Sequence, residues 1–330
     1  MPRLLASLAA LLLIAAAPLR AECVGRNLIE TAPPAMQAQL DAALAGQPFA
    51  EGNLWQARRG DQIVTLVGTY HFPDPRHDAL LNRVSPLLAE AKTLLVEAGP
   101  DEEAALKAAM GRDPGLMLIT EGPSLLEQMG PDDWKALAAA MQARGVPSVM
   151  AARFKPWYVS VMLAIPPCAM EQAKSGQGLD KRITDLAVSR GLPVRALEPW
   201  NTVLTLFDAM PAAEQLSMIH ATLPLEGMVT DMSVTLGDAY FAQDSRRVWE
   251  YMRLVSYDMQ GATRAEVDAE FSRMEDTLMI ARNRAWLPVI EAALADGPVV
   301  AAFGALHMSG PEGVAALLER AGFTLTRLPI

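Results

Sequence analysis

Two histidines follow strand-like segments with the same spacing. The segments 67–71 and 303–307 read Val-Gly-Thr-Tyr-His and Phe-Gly-Ala-Leu-His, so His71 and His307 each lie three residues after a glycine. In parallel α/β sheets, ligands bind at the carboxyl ends of strands, and a glycine there lets a ligand approach the backbone. The two motifs therefore predict two imidazoles at one edge of a sheet, where they could bind a metal or transfer protons.

Glu97 is the third candidate, because it follows the apolar segment Thr-Leu-Leu-Val at 93–96. A carboxylate that faces the core needs a cation, a proton or a metal, whereas one at a strand end can also simply reach solvent. Two imidazoles and a carboxylate are a ligand set of catalytic zinc and manganese sites with an open position. We therefore predict His71, Glu97 and His307 as catalytic residues and metal ligands. The metal-free alternative uses one histidine as a general base.

Helical periodicity places Arg282 on an apolar stripe. Counted at about 100° per residue from Phe271, Val267 lies at about −40° and Leu278 at about −20°. Arg282 lies at about +20° on the same scale, so it is predicted to point inward as a further catalytic residue. An inward guanidinium needs an anion. That anion is either a substrate carboxylate or developing oxyanion, or Glu97 or another buried acid.

Other polar residues carry weaker signals. Glu198 ends the segment Arg-Ala-Leu-Glu at 195–198 and is a second carboxylate candidate. Asp180 is predicted to cap a helix, and His77 and His220 are predicted to be surface residues. The sequence contains no Gly-x-Ser-x-Gly elbow, no His-Glu-x-x-His, no phosphate-binding glycine-rich loop and no Cys-x-x-Cys.

The segments that carry these residues alternate between strand and helix patterns, which predicts an α/β fold. A β-branched strand at 62–67, a helix at 78–92 with a kink or late start at Pro86, and a strand at 93–97 form a βαβ unit. The C-terminal part repeats the pattern with a strand at 299–303, a helix at 312–320 and a strand at 324–328. We expect a mostly parallel sheet, built from both chain ends and flanked by helices.

The middle of the chain is predicted to be mainly helical. Short strands are expected at 146–150 and 194–197, because turn chemistry precedes each of them. The segment 211–293 has helical spacing and is predicted to form a helical region that caps one side of the sheet. No linker is evident, so residues 22–330 are predicted to form a single domain.

The amino-acid composition argues against a disordered protein and against a nucleic-acid-binding protein. The chain has 330 residues, of which 51 % are hydrophobic and 20 % charged, so most of it is folded and not disordered. Lys and Arg number 28 against 38 Asp and Glu, a net charge of −10. That charge disfavours a nucleic-acid partner.

The N-terminus has the pattern of a secretory signal peptide. An apolar run extends from Leu4 to Ala17, and Ala21 supplies a small residue for cleavage. An uncleaved anchor helix is the alternative. No other apolar stretch reaches membrane length, so we expect a periplasmic or secreted protein with no membrane span after residues 1–21 are removed. In an oxidising compartment Cys23 and Cys168 are expected to pair, with two unpaired thiols as the alternative.

The ordered set of motifs resembles the TraB/GumN family, which includes the TIKI-type proteases. The resemblance rests on Gly68-Thr-Tyr-His71, Glu97, Lys155-Pro-Trp157, Gly178-Leu-Asp180, Arg282-Asn283, Gly304-Ala-Leu-His307 and the segment 309–314. It implies a fold similar to the erythromycin-esterase-like and ChaN-like proteins, with paired Gly-x-x-His motifs and an acidic residue at the site. TIKI-type members are regarded as metal-dependent proteases, whereas the related esterases are thought to work without metal.

Two functional hypotheses follow. The first is an exported hydrolase of amide or ester bonds in which His71, Glu97 and His307 bind zinc, manganese or cobalt and Arg282 stabilises the oxyanion. The peptide, ester or polysaccharide-related substrate is not specified by the sequence. The second is a non-catalytic periplasmic protein that binds haem, metal or a polysaccharide-related ligand in the same cleft.

Overall fold

The computed structural model describes residues 23–258 and 263–330, so the predicted signal peptide lies outside the described residues. Six strands form one sheet. They are β1 Leu54–Arg59, β2 Gln62–Thr69, β3 Thr93–Val96, β4 Val194–Ala196, β5 Val299–Gly304 and β6 Thr324–Arg327. Their order across the sheet is β4-β3-β5-β2-β1-β6.

The centre of the sheet is parallel. β5 pairs in parallel with β2 on one side and β3 on the other, and β3 pairs in parallel with β4. This confirms the predicted α/β class and the contribution of both chain ends. It also brings the carboxyl ends of β2, β3 and β5, the strands that precede His71, Glu97 and His307, to one edge.

The sequence analysis missed β1. This strand pairs antiparallel with β2 and with β6. A two-residue turn, Gly60-Asp61, joins β1 to β2, and Gly60 has a φ of 58°, a conformation that glycine adopts readily. The Gly-Asp pair is itself a hairpin signal, but the polar side chains of β1 hide the strand that precedes it.

Sixteen α-helices are formed by the described residues. They are α1 Pro34–Leu44, α2 His77–Glu90, α3 Pro100–Arg112, α4 Leu125–Gln128, α5 Pro131–Ala143, α6 Ser148–Ala151, α7 Pro156–Leu163, α8 Met170–Ser175, α9 Leu179–Ser189, α10 Thr202–Asp208, α11 Ala212–Thr222, α12 Val229–Phe241, α13 Ser245–Ser256, α14 Arg264–Glu275, α15 Ala281–Ala293 and α16 Val314–Arg320. A π-helical segment, Asp276–Ile280, joins α14 to α15.

The predicted strand at 146–150 is wrong, because this segment contains α6. Pro147 lies at the N-cap of α6, and a proline cannot donate to a strand ladder. Val149 is 74 % exposed, so its β-branched side chain meets solvent instead of a sheet. A run of apolar residues this short does not distinguish strand from helix by its periodicity.

Helices cover both faces of the sheet. On one face Trp286 and Ile290 of α15 pack with Leu66 of β2 and Phe303 of β5. On the other face α2 and α9 pack on the alternate strand residues, and Tyr240 of α12 joins them. The described parts of this segment, residues 211–258 and 263–293, are mainly helical as predicted, but they contribute to both faces and do not cap only one.

A separate apolar cluster lies among helices α4 to α8 and α11, and we call it the helical cluster. Its fully buried members are Leu125, Leu137, Met141, Ala151, Val159 and Ile219. A Cys23–Cys168 disulfide, with its Cα atoms 5.4 Å apart, joins the N-terminal residues to the turn before α8. Across residues 23–258 and 263–330, no helix is long and apolar enough to cross a bilayer.

Candidate active site

The three candidate residues leave three neighbouring strands. His71 lies two residues after β2, Glu97 directly follows β3, and His307 lies three residues after β5 in the 3₁₀ turn Ala305–Met308. The register pairs Thr69 of β2 with Gly304 of β5, so the chain leaves these two strands at the same level of the sheet.

Gly304 lies at the point where the three side chains meet. A Cβ atom at Gly304 would lie 3.3 Å from Glu97 Oε1, 3.7 Å from His307 Cδ2 and 3.8 Å from His71 Nε2. The Gly304 N–H also donates a 2.6 Å hydrogen bond to Glu97 Oε1. The glycine of the second motif therefore leaves open the space into which two imidazoles and a carboxylate point.

Arg282 is bound by two carboxylates and one imidazole. Its Nη2 donates to Glu97 Oε2 and to Glu198 Oε1, each at 2.6 Å, and its Nε donates to Glu198 Oε2 at 2.8 Å. Its Nη1 donates to Leu278 O at 3.1 Å and lies 3.2 Å from His307 Nε2. All five N–H groups of the guanidinium thus have partners. We call His71, Glu97, Glu198, Arg282 and His307 the site cluster.

The Arg282 side chain points into the protein, as predicted, although a π-helical segment precedes the helix that carries it. The side chain is 10 % exposed, and burial lowers its pKa less than the two carboxylates raise it. The π-helical segment interrupts the α-helical register assumed between Phe271 and Arg282. Glu198 had only a weak sequence signal, yet it makes two of the five bonds to Arg282 and accepts a further 3.0 Å bond from Trp286 Nε1.

His307 is buried and held by Asn283. The Asn283 amide nitrogen donates to the backbone oxygens of Glu312, at 2.9 Å, and His307, at 3.4 Å, so its Oδ1 faces His307 Nδ1 at 2.6 Å. An amide oxygen only accepts, so Nδ1 carries the proton and the lone pair of Nε2 faces Arg282. Burial lowers the pKa of His307 to about 4, so the ring is neutral at pH 7. The sequence analysis gave Asn283 no role, because only the fold brings it to His307.

His71 is paired with Asp180. The distance from His71 Nδ1 to Asp180 Oδ1 is 3.1 Å, and this hydrogen bond raises the pKa of His71 to about 9. The prediction that Asp180 caps a helix is wrong, because Gly178 is the N-cap of α9 and Asp180 lies in the first turn. A Cβ atom at Gly178 would lie 2.3 Å from His71 O, so only glycine lets α9 approach closely enough to bring Asp180 to the ring.

Glu97 is ionised in this environment. Burial raises its pKa, but His307, which is protonated at the low pH where Glu97 titrates, outweighs that effect together with Arg282, His71 and the Gly304 N–H and lowers the pKa to about 2. The carboxylate therefore carries a negative charge at neutral pH and holds Arg282 in place.

The site cluster does not fit a divalent metal in this arrangement. No group of three or more His, Cys, Asp and Glu side chains in residues 23–258 and 263–330 is disposed to hold a metal ion. The reason is the position of Arg282, which binds the atoms that His307 and Glu97 would offer to a metal. A dication at these atoms would have to displace a buried guanidinium or lie against its positive charge.

The other two histidines lie outside the site cluster. The prediction that His77 is a surface residue is wrong, because its ring is fully buried against Tyr70, Tyr240 and Phe241. Its Nε2 lies 2.8 Å from Phe72 O, in the segment that carries His71. His220 has a side chain that is 43 % exposed, as expected for a surface residue.

The fold and the site together define a class of α/β protein in which a mostly parallel sheet presents two Gly-x-x-His motifs, a glutamate and an arginine at one edge. The family model described as the TraB/PrgY/gumN family matches residues 53–327, a range that contains all six strands. The chain therefore belongs to the TraB/PrgY/gumN family, as the motifs indicated. No curated protein matches the chain.

Proposed function

We propose that this protein is an exported hydrolase of amide or ester bonds in which His71 is the general base. The observation that carries the proposal is the convergence of His71 Nε2, Glu97 and His307 within 3.8 Å of one point at Gly304. Asp180 fixes the tautomer of His71 by accepting from Nδ1, which leaves Nε2 directed at that point. A base oriented by a carboxylate is the arrangement that proton transfer from water requires.

The reaction proceeds in two proton transfers. Neutral His71, the form that predominates above its pKa of about 9, takes a proton from water through Nε2 while the water oxygen bonds to the substrate carbonyl carbon. The resulting imidazolium then gives that proton to the leaving nitrogen or oxygen as the bond to carbon breaks. Arg282 stabilises the oxyanion by redirecting to it the Nη1–H that now faces His307 Nε2, its longest hydrogen bond at 3.2 Å. Glu97 and Glu198 hold the guanidinium in place during this exchange.

A screen of peptides and esters tests the proposal. His71→Ala is expected to lower kcat about 10²–10⁴-fold, which is the usual contribution of a general base. Arg282→Lys is expected to lower kcat because lysine loses the planar donor pair. His220→Ala is the matched control, because this histidine is exposed and lies outside the site cluster. If His71→Ala retains full activity with an unchanged Tm, His71 is not the base.

A metal-dependent hydrolase is the second candidate. The observation in its favour is that two imidazoles and a carboxylate share the space at Gly304, but it requires Arg282 to release Glu97 and His307. Elemental analysis of protein purified without chelators, followed by assays with added zinc, manganese or cobalt, separates the candidates. Activity that a chelator abolishes and metal restores supports the second candidate, whereas chelator-resistant activity supports the first.

Export and the hypothesis of a non-catalytic binding protein are both tested on the purified periplasmic protein. The disulfide is compatible with an oxidising compartment, and we propose that residues 1–21 are removed on export. The intact mass of periplasmic protein is expected to lack those residues. If no peptide or ester is cleaved with or without metal, and haem, metal or a polysaccharide-related ligand stays bound through purification, the non-catalytic alternative replaces the hydrolase.

A further inference from the structure

A cavity of about 140 Å³ lies beside the site cluster. Asn283 and Leu306 line it, and each is the chain neighbour of a site-cluster residue, but no member of the site cluster itself lines the cavity. An engineered protein cavity of about 150 Å³ accommodates benzene. The cavity is therefore large enough for a small organic molecule and is separate from the place where the reaction is proposed to occur.

Two polar side chains of the cavity wall have an oxygen without a partner. Gln47 Oε1 and Ser309 Oγ are both buried and form no hydrogen bond with any residue in 23–258 or 263–330, and Ser309 is only 7 % exposed. Unpaired buried polar atoms are uncommon and destabilising, so each of them calls for a missing partner. Gln47 Oε1 can only accept, so its missing partner is a hydrogen-bond donor.

The charged groups of the wall are already paired within the protein. Arg246 binds Glu250 at 3.0 Å and also binds Glu275. Arg253 binds Glu250 at 2.9 Å and Asp268 at 2.7 Å. The carboxylate of Glu312 is bound by two further arginines, so together four arginines balance four carboxylates. A charged ligand would add an unbalanced charge, whereas hydroxyl groups can donate to the unpaired oxygens at no such cost.

The remaining wall is apolar and connects to the site cluster. Met279 and Ile280 line the cavity from the π-helical segment, and such segments occur frequently at functional sites. The carbonyl of Leu278 in the same segment accepts from Arg282, and Asn283 holds His307 at 2.6 Å. A molecule in the cavity would contact Asn283, which holds His307, and Met279, the chain neighbour of Leu278.

We propose that the cavity binds a small uncharged polyol and that occupancy shifts His307 through Asn283. The hydroxyl groups of the ligand pair with Gln47 Oε1 and Ser309 Oγ, and its carbon chain contacts Met279 and Ile280. Binding at this site is independent of whether the site cluster hydrolyses a substrate.

The test uses the oxidised full-length mature protein with ¹³C-methyl-labelled methionine. Erythritol is titrated while the Met279 methyl signal, assigned with Met279→Leu, and the His307 ring signals are followed by NMR. Succinate, which has the same carbon and oxygen count but two negative charges, and butane-1,4-diamine, which is a dication, are the comparison probes. Erythritol is expected to give saturable shifts of both signals, and the two charged probes are expected to give none.

Matched variants locate the binding. Ser309→Ala and Gln47→Leu are each expected to weaken erythritol binding about fivefold, the effect of one neutral hydrogen bond. Gln142→Leu, an exposed glutamine of α5, is the control and should leave the affinity unchanged. Absence of a saturable Met279 shift means that the cavity holds water only and overturns the proposal. Succinate binding as tight as erythritol binding, or an erythritol affinity in both cavity variants equal to that of the unsubstituted protein, also overturns it.

Discussion

At the scale of single residues, the side chains of the site cluster hold one another in place through hydrogen bonds and opposite charges. Arg282 is held by Glu97 and Glu198, and Asn283 fixes the tautomer of His307. His71 is the exception, because its side chain is 64 % exposed and its only hydrogen-bond partner in the described chain is Asp180. The histidine with the most exposed side chain is thus the one whose pKa is raised, and the hydrogen bond to Asp180 is the largest cause.

Replacing Asp180 is predicted to change the ionisation of His71. In Asp180→Asn an amide oxygen can still accept from Nδ1, but the negative charge is lost, so the pKa of His71 falls from about 9 toward its ordinary value of 6.5. The base form then predominates at lower pH, and the rising limb of the activity profile moves in the acid direction. NMR titration of the His71 ring in chelator-treated protein measures the shift, and His220 is the internal control. A pKa that stays near 9 would mean that Asp180 does not set it.

His77 is predicted to hold the segment that carries His71. His77→Phe keeps an aromatic ring among Tyr70, Tyr240 and Phe241 but loses the hydrogen bond to Phe72 O, which costs about 1–3 kcal/mol in the free energy of unfolding. His77→Gln can restore a donor and is expected to lose less. Denaturant unfolding of both variants makes the comparison, and a smaller loss for phenylalanine than for glutamine would show that ring packing matters more than the hydrogen bond.

At the scale of elements, the end of β5 determines how closely the side chains of His71, Glu97 and His307 approach one another. Gly304→Ala places a Cβ atom 3.3 Å from Glu97 Oε1, tighter than an ordinary contact, so the carboxylate has to move away. We expect weaker bonding between Glu97 and Arg282, reduced activity and a nearly unchanged Tm. The Arg282 Nη2–H signals in the NMR spectrum report the change, because Nη2 donates to Glu97 Oε2. Gly46→Ala is the matched control, because nothing lies within 4 Å of its added Cβ. An undisturbed arginine signal in Gly304→Ala would contradict the prediction.

The sequence predicts the helices and strands that have a clear hydrophobic period or a short run of buried apolar residues. The strands that precede His71, Glu97 and His307 are of this kind. β2, β3 and β5 are short, apolar and flanked by turn residues, so their ends were predicted within two residues. β1 was missed because its polar side chains hide its pattern, and α6 was misassigned because its short apolar run is exposed to solvent. Asn283 binds His307, which is 24 residues away, and Glu198 binds Arg282, which is 84 residues away. Local sequence patterns cannot predict contacts between residues so far apart in the chain.

At the scale of the whole molecule, the N-terminus ties two regions together. Residues 26–28 run along α12, where Arg26 N donates to Asp231 Oδ1 and Leu28 N donates to Thr235 Oγ1, each at 2.8 Å. Cys23 then reaches Cys168, beside Met170 of the helical cluster. The covalent bond therefore connects the first described residue, Cys23, to a cluster that shares no buried residue with the two sheet faces.

Removing this disulfide is predicted to destabilise the whole protein. The bond closes a loop across 145 residues, and the chain-entropy relation gives a loss of roughly 4–5 kcal/mol for Cys23→Ser with Cys168→Ser. Denaturant unfolding measures the loss, and hydrogen exchange is expected to accelerate first in residues 23–33 and α8, where the constraint acts directly. Treating the native protein with a reductant should reproduce both effects, whereas the double variant should not respond to it. Equal stability of oxidised and reduced protein would mean that the contacts of the N-terminal residues along α12 suffice without the covalent bond.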